Sequence, residues 1–265
     1  MKSNFLFGGY RLSRMLGVDP RATYKTMRYF GTFMRDLREF RERAASSETQ
    51  MRFGQLVPCL GEANSDSGTA SGHYFHQDLL VARRIFERRP QRHIDIGSRV
   101  DGFVAHVASY RKIEVLDIRP LSNKVANVEF RQADLMALPA EYIACTDSAS
   151  CLHALEHVGL GRYGDALDPD GHLKGLASLT ALVRGGGMLY LSVPIGPQRV
   201  EFNAHRVFAV DYLLGLLRPG FDLVAFSYVD DAGDLHENVT LDDASVANSF
   251  GCGYGCGIFE LRRRS

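Results

Sequence analysis

The chain has 265 residues, 45% hydrophobic and 23% charged, which is ordinary globular usage and excludes a disordered chain. Lys+Arg and Asp+Glu balance at 31 each, which argues against a general polyanion binder, and no apolar run approaches the roughly 20 residues needed to span a bilayer. Five scattered cysteines are an odd number and read as thiols of a reducing compartment. Met1–Tyr10 meets charge too soon for a secretory signal, so a cytoplasmic protein is expected.

The balanced total hides an asymmetry. Residues 1–45 hold ten Lys/Arg against four acids (Asp19, Asp36, Glu39, Glu42), a net of +6 that leaves −6 for the rest. Between Thr23 and Ala44, Tyr24, Met27, Phe30, Met34, Leu37 and Phe40 recur every three or four residues, which predicts one amphipathic basic helix. Such a helix packs on the main domain, pairs with a second copy in a homodimer, or lies on an anionic membrane at its inner face. No nucleic acid is expected as a partner. Residues 45–72 carry Ser, Gly, Asn and Asp at turn density and read as a linker or lid, so residues 1–71 form an arm and 72–265 the main domain.

From Tyr74 onward, strands and helices alternate. Strands are predicted at His93–Ile96, Ile113–Leu116, Val128–Arg131, Ser148–Leu152 and Met188–Val193, with helices over Gly102–Tyr110, Ala154–Val158, Leu173–Val183 and Val210–Leu217. Gly185–Gly187 reads as a helix stop, and Phe221–Val229 and Gly257–Leu261 as two late strands. This alternation predicts an α/β fold, a doubly wound and mostly parallel sheet with helices on both faces.

In such sheets ligands bind at the carboxyl ends of the strands. The first strand end reads Asp95-Ile-Gly97-Ser98-Arg99-Val-Asp101-Gly102, where a glycine admits close backbone approach and the next helix start offers free N–H groups. Asp117 ends the second strand, 22 residues after Asp95, where a carboxylate accepts two ribose hydroxyls. Asp134, followed by Leu135, ends the third and faces an adenine amino group. A dinucleotide fingerprint wants a glycine where Arg99 stands, and Asp101 would repel a pyrophosphate, so NAD and FAD are disfavoured. A ligand with an amino and a carboxylate group suits the position better.

These residues resemble the class I S-adenosylmethionine-dependent methyltransferases over about residues 72–262. Asp95-x-Gly97 is similar to their first motif, Asp117 to the second, Asp134-Leu135 to the third, and Asp147 through Leu155-Glu-His157-Val to the fourth-strand motif. More narrowly, Gly72-His-Tyr-Phe-His-Gln-Asp78, the run Cys151–Asp165 and Asn203-Ala-His-Arg-Val-Phe208 look like a largely uncharacterised family often encoded near polysaccharide-biosynthesis genes. The resemblance implies a Rossmann-like, seven-stranded sheet with a reversed C-terminal hairpin. It implies S-adenosylmethionine as cofactor, S-adenosylhomocysteine as product, and a cofactor site at Asp95, Gly97, Ser98, Gly102, Asp117, Ile118, Asp134, Leu135, Cys151, Leu152 and His76. The acceptor it implies is a small hydroxylated molecule or glycan. Arg99, where a glycine is usual, motivates the competing expectation of a methyltransferase-like scaffold without turnover.

Methylation of an oxygen benefits from a base near neutral pKa, which histidine supplies. His157 and His205 are the first candidates and His153 the next; a histidine that merely fixes a loop is the competing reading for each. His153 and His157 lie four apart, on one face of the predicted helix. No metal is expected. Asp165, Asp168 and Asp170 fit a turn better than a hard-ion site, and Cys252 and Cys256 have no second Cys/His pair nearby in sequence.

Overall fold

The structure, a computed structural model, describes residues 13–14, 16–48 and 51–265. It divides into two compact units, residues 1–69 and 70–265.

The first unit is built on α1 (Pro20–Ala44). Asp19 caps it, its carboxylate accepting from the N–H groups of Arg21 at 2.9 Å and Ala22 at 3.3 Å, and Pro20 fits the first turn because its missing N–H is not needed there. The apolar stripe differs from the predicted one. Tyr29 and Phe33 are half-buried with Leu37 of the predicted stripe, facing the segment Gln55–Asn64, whereas Met27 is 77% and Tyr24 65% exposed. The helix carries two apolar rows, and the returning segment covers one of them. No helix among the described residues is long and apolar enough to cross a membrane.

The second unit begins with α2 (His73–Arg88), followed by β1 (His93–Ile96), a π-type turn (Val100–Val104) running into α3 (Ala105–Ala108), β2 (Ile113–Asp117), β3 (Val128–Gln132) and β4 (Thr146–Leu152). Then come α4 (Gly171–Leu182), β5 (Val183–Ile195), a small β6–β7 ribbon (Arg199–Glu201, His205–Val207), α5 (Val210–Leu217), β8 (Phe221–Val229), β9 (Leu235–His236), α6 (Asp243–Ala247) and β10 (Gly255–Arg263). The main sheet has the order β3-β2-β1-β4-β5-β10-β8-β9. The pairs among β1–β5 are parallel, and β10 lies antiparallel between β5 and β8. The sheet therefore has eight strands rather than seven; the addition is β9, two residues paired with Tyr228 and Val229.

Alternation along each strand feeds two cores. Leu189, Leu191 and Val193 of β5 face α4 and α5 through Leu179, Leu182 and Leu213, while Tyr190 packs with Val81 and Ile85 of α2 and Phe103 on the other side. Two predicted elements are corrected. Gly185–Gly187 does not stop α4; the helix ends at Leu182 because Val183 is already extended and in the sheet. The glycines instead carry β5 past a bulge opposite Thr146–Ser148, where a Cβ on Gly187 would lie 3.0 Å from the Asp147 carbonyl oxygen. Ala154–Val158 is no α-helix but a single 3₁₀ turn, Leu155–His157, since Val158 turns extended and Gly159 follows at φ +82. The strand order reverses between β1 and β4. The carboxyl ends there flank a crevice.

Candidate functional site

The crevice has a volume of about 330 Å³ and takes its walls from the ends of β1, β2, β3 and β4. Gly97 turns the chain out of β1 at φ +74, its N–H donating to the Leu116 carbonyl at 2.8 Å. A Cβ there would be strained by the positive φ and would meet the Ala154 methyl at 2.8 Å, so only glycine keeps this floor open. Asp117 and Asp134 both line the same space, together with Ile96, Leu116, Ile118, Ala133, Leu135, Leu152 and Val158, an apolar slot with acids at its rim.

The two carboxylates are held differently. Asp134 caps the turn Leu135–Ala137 with Oδ1, which accepts the Met136 N–H at 2.8 Å. Asp117 accepts three bonds from Arg119: its backbone N–H at 2.8 Å, Nε at 3.1 Å and Nη2 at 2.7 Å. The guanidinium also lies over the Tyr163 ring at 4.4 Å, and both side chains line the crevice. Arg99 enters the wall too, paired with Asp101 at 2.7 Å and set over the Tyr74 ring at 5.7 Å.

Beneath the floor runs a buried polar chain. Asp95 is fully buried and accepts from the Ser98 N–H at 3.1 Å, Ser98 Oγ at 2.7 Å and Ser150 Oγ at 2.5 Å. Ser150 in turn touches His93 Nε2 at 3.1 Å, and His93 Nδ1 touches Ser148 Oγ at 2.8 Å. A Ser150 hydroxyl that donates to Asp95 must accept from His93 Nε2–H, which leaves Nδ1 to accept from Ser148. Burial pushes the Asp95 carboxyl up to about 7 and the His93 imidazole down to about 3.

Several predicted residues therefore stand outside the crevice lining. Asp95, Ser98 and the buried Cys151 support it from below. Gly102 lies against Asp78, whose Oδ2 is 2.8 Å from the position of an added Cβ. His76 sits on α2 edge-on to Phe75, and the same helix sends Tyr74 to the crevice instead. Three-to-four spacing decides this: helical neighbours two apart point to different sides. Tyr74, Arg119, Arg162 and Tyr163 went unread in the sequence; the one cue was the Asp117-x-Arg119 spacing, which places a cation within reach of the acid.

The histidines also separate. His153 and His157 line the crevice and His205 does not. His157 Nδ1 donates to the Ala204 carbonyl at 2.6 Å, burial holds its pKa below the ordinary histidine range, and Nε2 is 3.7 Å from Glu156 Oε1. It is a neutral imidazole with Nε2 as its basic atom. His205 is likewise lowered by burial, its ring centroid 6.4 Å from that of His157. His153 is buried and donates Nδ1–H to Glu156 Oε1 at 2.7 Å. Burial opposes both charges of this pair. Even so, Cys256 and Glu156 draw the His153 pKa up, and His153 draws that of Glu156 down.

The loop between His157 and α4 is pinned by two side chains. Asp165 accepts the N–H groups of Gly159 at 2.7 Å, Gly161 at 3.2 Å and Tyr163 at 3.2 Å, so it is a turn organiser. Arg206, 4% exposed, donates to the carbonyls of Val158 at 2.6 Å, Pro169 at 3.1 Å, Asp168 at 3.3 Å and Glu156 at 3.4 Å. Arg206→Ala is expected to cost about 2 kcal/mol in urea unfolding, because it strands buried acceptors. Arg206→Lys should recover only part of the loss, since an ammonium lacks the planar fork. Equal midpoints for Arg206→Ala and the parent would show that the brace is idle.

The fold is that of the class I S-adenosylmethionine-dependent methyltransferases. Among solved structures, it matches a 1,6-didemethyltoxoflavin-N1-methyltransferase of Burkholderia thailandensis, crystallised with 1,6-didemethyltoxoflavin and S-adenosylhomocysteine (16% identity, 71% of this chain, 79% of that one, TM-score 0.50). It also matches the 4+2 cyclase SpnF (14% identity, 71% and 81%, TM-score 0.50). A third match is a Galdieria sulphuraria protein provisionally described as a sarcosine dimethylglycine methyltransferase (13% identity, 71% and 86%, TM-score 0.51). A methyltransferase and a cyclase on one scaffold illustrate that the fold does not dictate the reaction. The chain belongs to the family described as "Caenorhabditis protein of unknown function, DUF268", whose profile matches residues 108–249. No curated protein matches the sequence.

Proposed function

We infer that the protein is an S-adenosylmethionine-dependent methyltransferase acting on the oxygen of a small hydroxylated or sugar-type acceptor. The observation that carries this reading is the convergence of Gly97, Asp117 and Asp134 on one crevice at the sheet's switch point. The residues fit the cofactor. The Cβ-free floor at Gly97 admits the backbone side of the ligand, the apolar slot of Leu116, Ile118 and Leu135 suits a purine, and Asp134 Oδ2 can accept an adenine amino proton. Asp117 accepts the ribose hydroxyls once Arg119 swings aside. Adenosylmethionine, when bound, supplies an electrophilic methyl group on a sulfonium. The chain's own task is alignment and removal of the acceptor's proton, which falls to His157 Nε2, with Nδ1 fixed by Ala204.

A second reading, a binding scaffold without turnover, follows from the three bonds by which Arg119 occupies Asp117. One experiment addresses both. At 100-fold excess over its dissociation constant, S-adenosylhomocysteine is expected to stabilise the protein by about 2.7 kcal/mol, a rise in Tm of roughly 5–10 °C. No shift with the nucleoside at millimolar concentration would overturn the adenosine site. A shift without methyl transfer to any sugar or nucleotide-sugar pool, followed by product mass, would favour the scaffold.

A further inference from the structure

Three side chains from distant parts of the sequence meet beside the crevice. His73 opens α2, His153 follows β4, and Cys256 is the second residue of β10. Their donor atoms all lie within 4.8 Å of one another. His153 is 7% exposed and Cys256 0%, and His153 Nε2 is buried without a hydrogen-bond partner among the described residues. An orphaned ring nitrogen in a dry site is costly unless something binds it. The other nitrogen of that ring is already committed, since Nδ1–H donates to the buried carboxylate of Glu156 at 2.7 Å. A carboxylate behind a histidine, fixing its tautomer and aiming Nε2 forward, is the outer support that metal-ligating histidines use.

We propose that His73, His153 and Cys256 hold a divalent ion of the zinc class, with Glu156 orienting His153 from behind. The donor set is a thiolate and two imidazoles, the mixture that a borderline-soft ion with no directional preference accepts. The rings of His73 and His153 are stacked, with centroids 5.2 Å apart and planes 5° apart, so the half-buried His73 ring turns to bring its nitrogen and His153 Nε2 onto one ion. The donors, within 4.8 Å of one another, draw together on an ion whose bonds to nitrogen and sulfur are about 2.0–2.3 Å long. Binding releases the thiol proton, and the ion takes the place on His153 Nε2 that a proton would otherwise hold. Gln77 Oε1, 3.7 Å from Cys256 Sγ, and the Tyr254 ring, 5.4 Å from that of His73, complete the surroundings. Three protein ligands are the number used where the fourth position is left to water or substrate, and His153 is also part of the crevice wall.

The site does not rest on the adenosine reading, since metal uptake is measured without any nucleoside. The full-length chain, stripped by chelator and dialysed against zinc sulfate, is expected to retain about one zinc per chain. Cys256→Ser and His153→Gln are expected to weaken zinc binding by at least about 100-fold and Glu156→Gln by about 10-fold, while Cys59→Ser and His205→Asn bind like the parent. With cobalt chloride as probe, the parent should show a thiolate-to-cobalt charge-transfer band that Cys256→Ser lacks. Substoichiometric zinc in the parent, a cobalt spectrum without that band, or full retention by Cys256→Ser would each overturn the site. Should Cys256→Ser or His153→Gln fail to fold, the parent's zinc content and cobalt spectrum decide alone.

Discussion

Asp117→Ala is expected to lose at least about 100-fold in affinity for S-adenosylhomocysteine and, with it, the rise in Tm that the nucleoside gives the parent. Two charge-assisted hydrogen bonds to ribose hydroxyls contribute roughly 1.5–3 kcal/mol each, against which stands the cost of parting Asp117 from Arg119. That contact is half-exposed on the arginine side, so its loss offsets only a fraction of the gain. Arg119→Ala provides the opposite arm. It frees the carboxylate, and its affinity should equal or exceed that of the parent. Titration by calorimetry distinguishes the cases: equal affinities for the parent and Asp117→Ala would remove the ribose assignment, whatever the fold.

The second large effect concerns pH. The Asp95 carboxyl titrates near its ordinary value of 3.8 in the unfolded chain and about 7 in the folded one, because burial penalises its charge. Between those values the native state keeps a proton that the unfolded state has lost, so stability falls as pH rises from about 4 to 7 and levels off above. The span corresponds to roughly 4 kcal/mol. Asp95→Asn keeps the shape and an acceptor for the Ser98 N–H but cannot ionise. Its urea midpoint should trail or match the parent at pH 5 and gain on it steadily toward pH 8. Asp78, which burial raises to about 6, contributes a smaller slope of the same sign that both proteins share. Parallel pH profiles would mean that Asp95 is ionised throughout.

The crevice was legible because three strands lead into an acid or a glycine; Ile94–Gly97, Leu116–Asp117 and Ala133–Asp134 announce it almost without tertiary information. What the sequence could not convey was how other parts of the chain occupy those ends. Whether Asp117 faces solvent or Arg119 depends on a rotamer that packs on Tyr163, 44 residues away from Arg119 in sequence. His76 and Tyr74 are equally plausible from composition, and only the rotation of α2 chooses between them. The glycine run at 185–187 misled because a helix stop and a strand bulge use the same residue for the same conformational freedom. The cluster of His73, His153 and Cys256 was invisible for a further reason: its members are 80 and 103 residues apart, and only the insertion of β10 next to β5 brings the third to the other two.

That insertion bears on what holds the sheet together. β10 is the last strand in chain order, yet it occupies an interior place in the sheet, hydrogen-bonded along its length to β5 on one side and β8 on the other. Until Gly255–Arg263 is seated, the margins of β5 and β8 that it joins present unpaired N–H and carbonyl groups. Losing β10 would thus split the sheet in two, parting β8 and β9 from β1–β5 and leaving each part with an edge open to pairing with other chains.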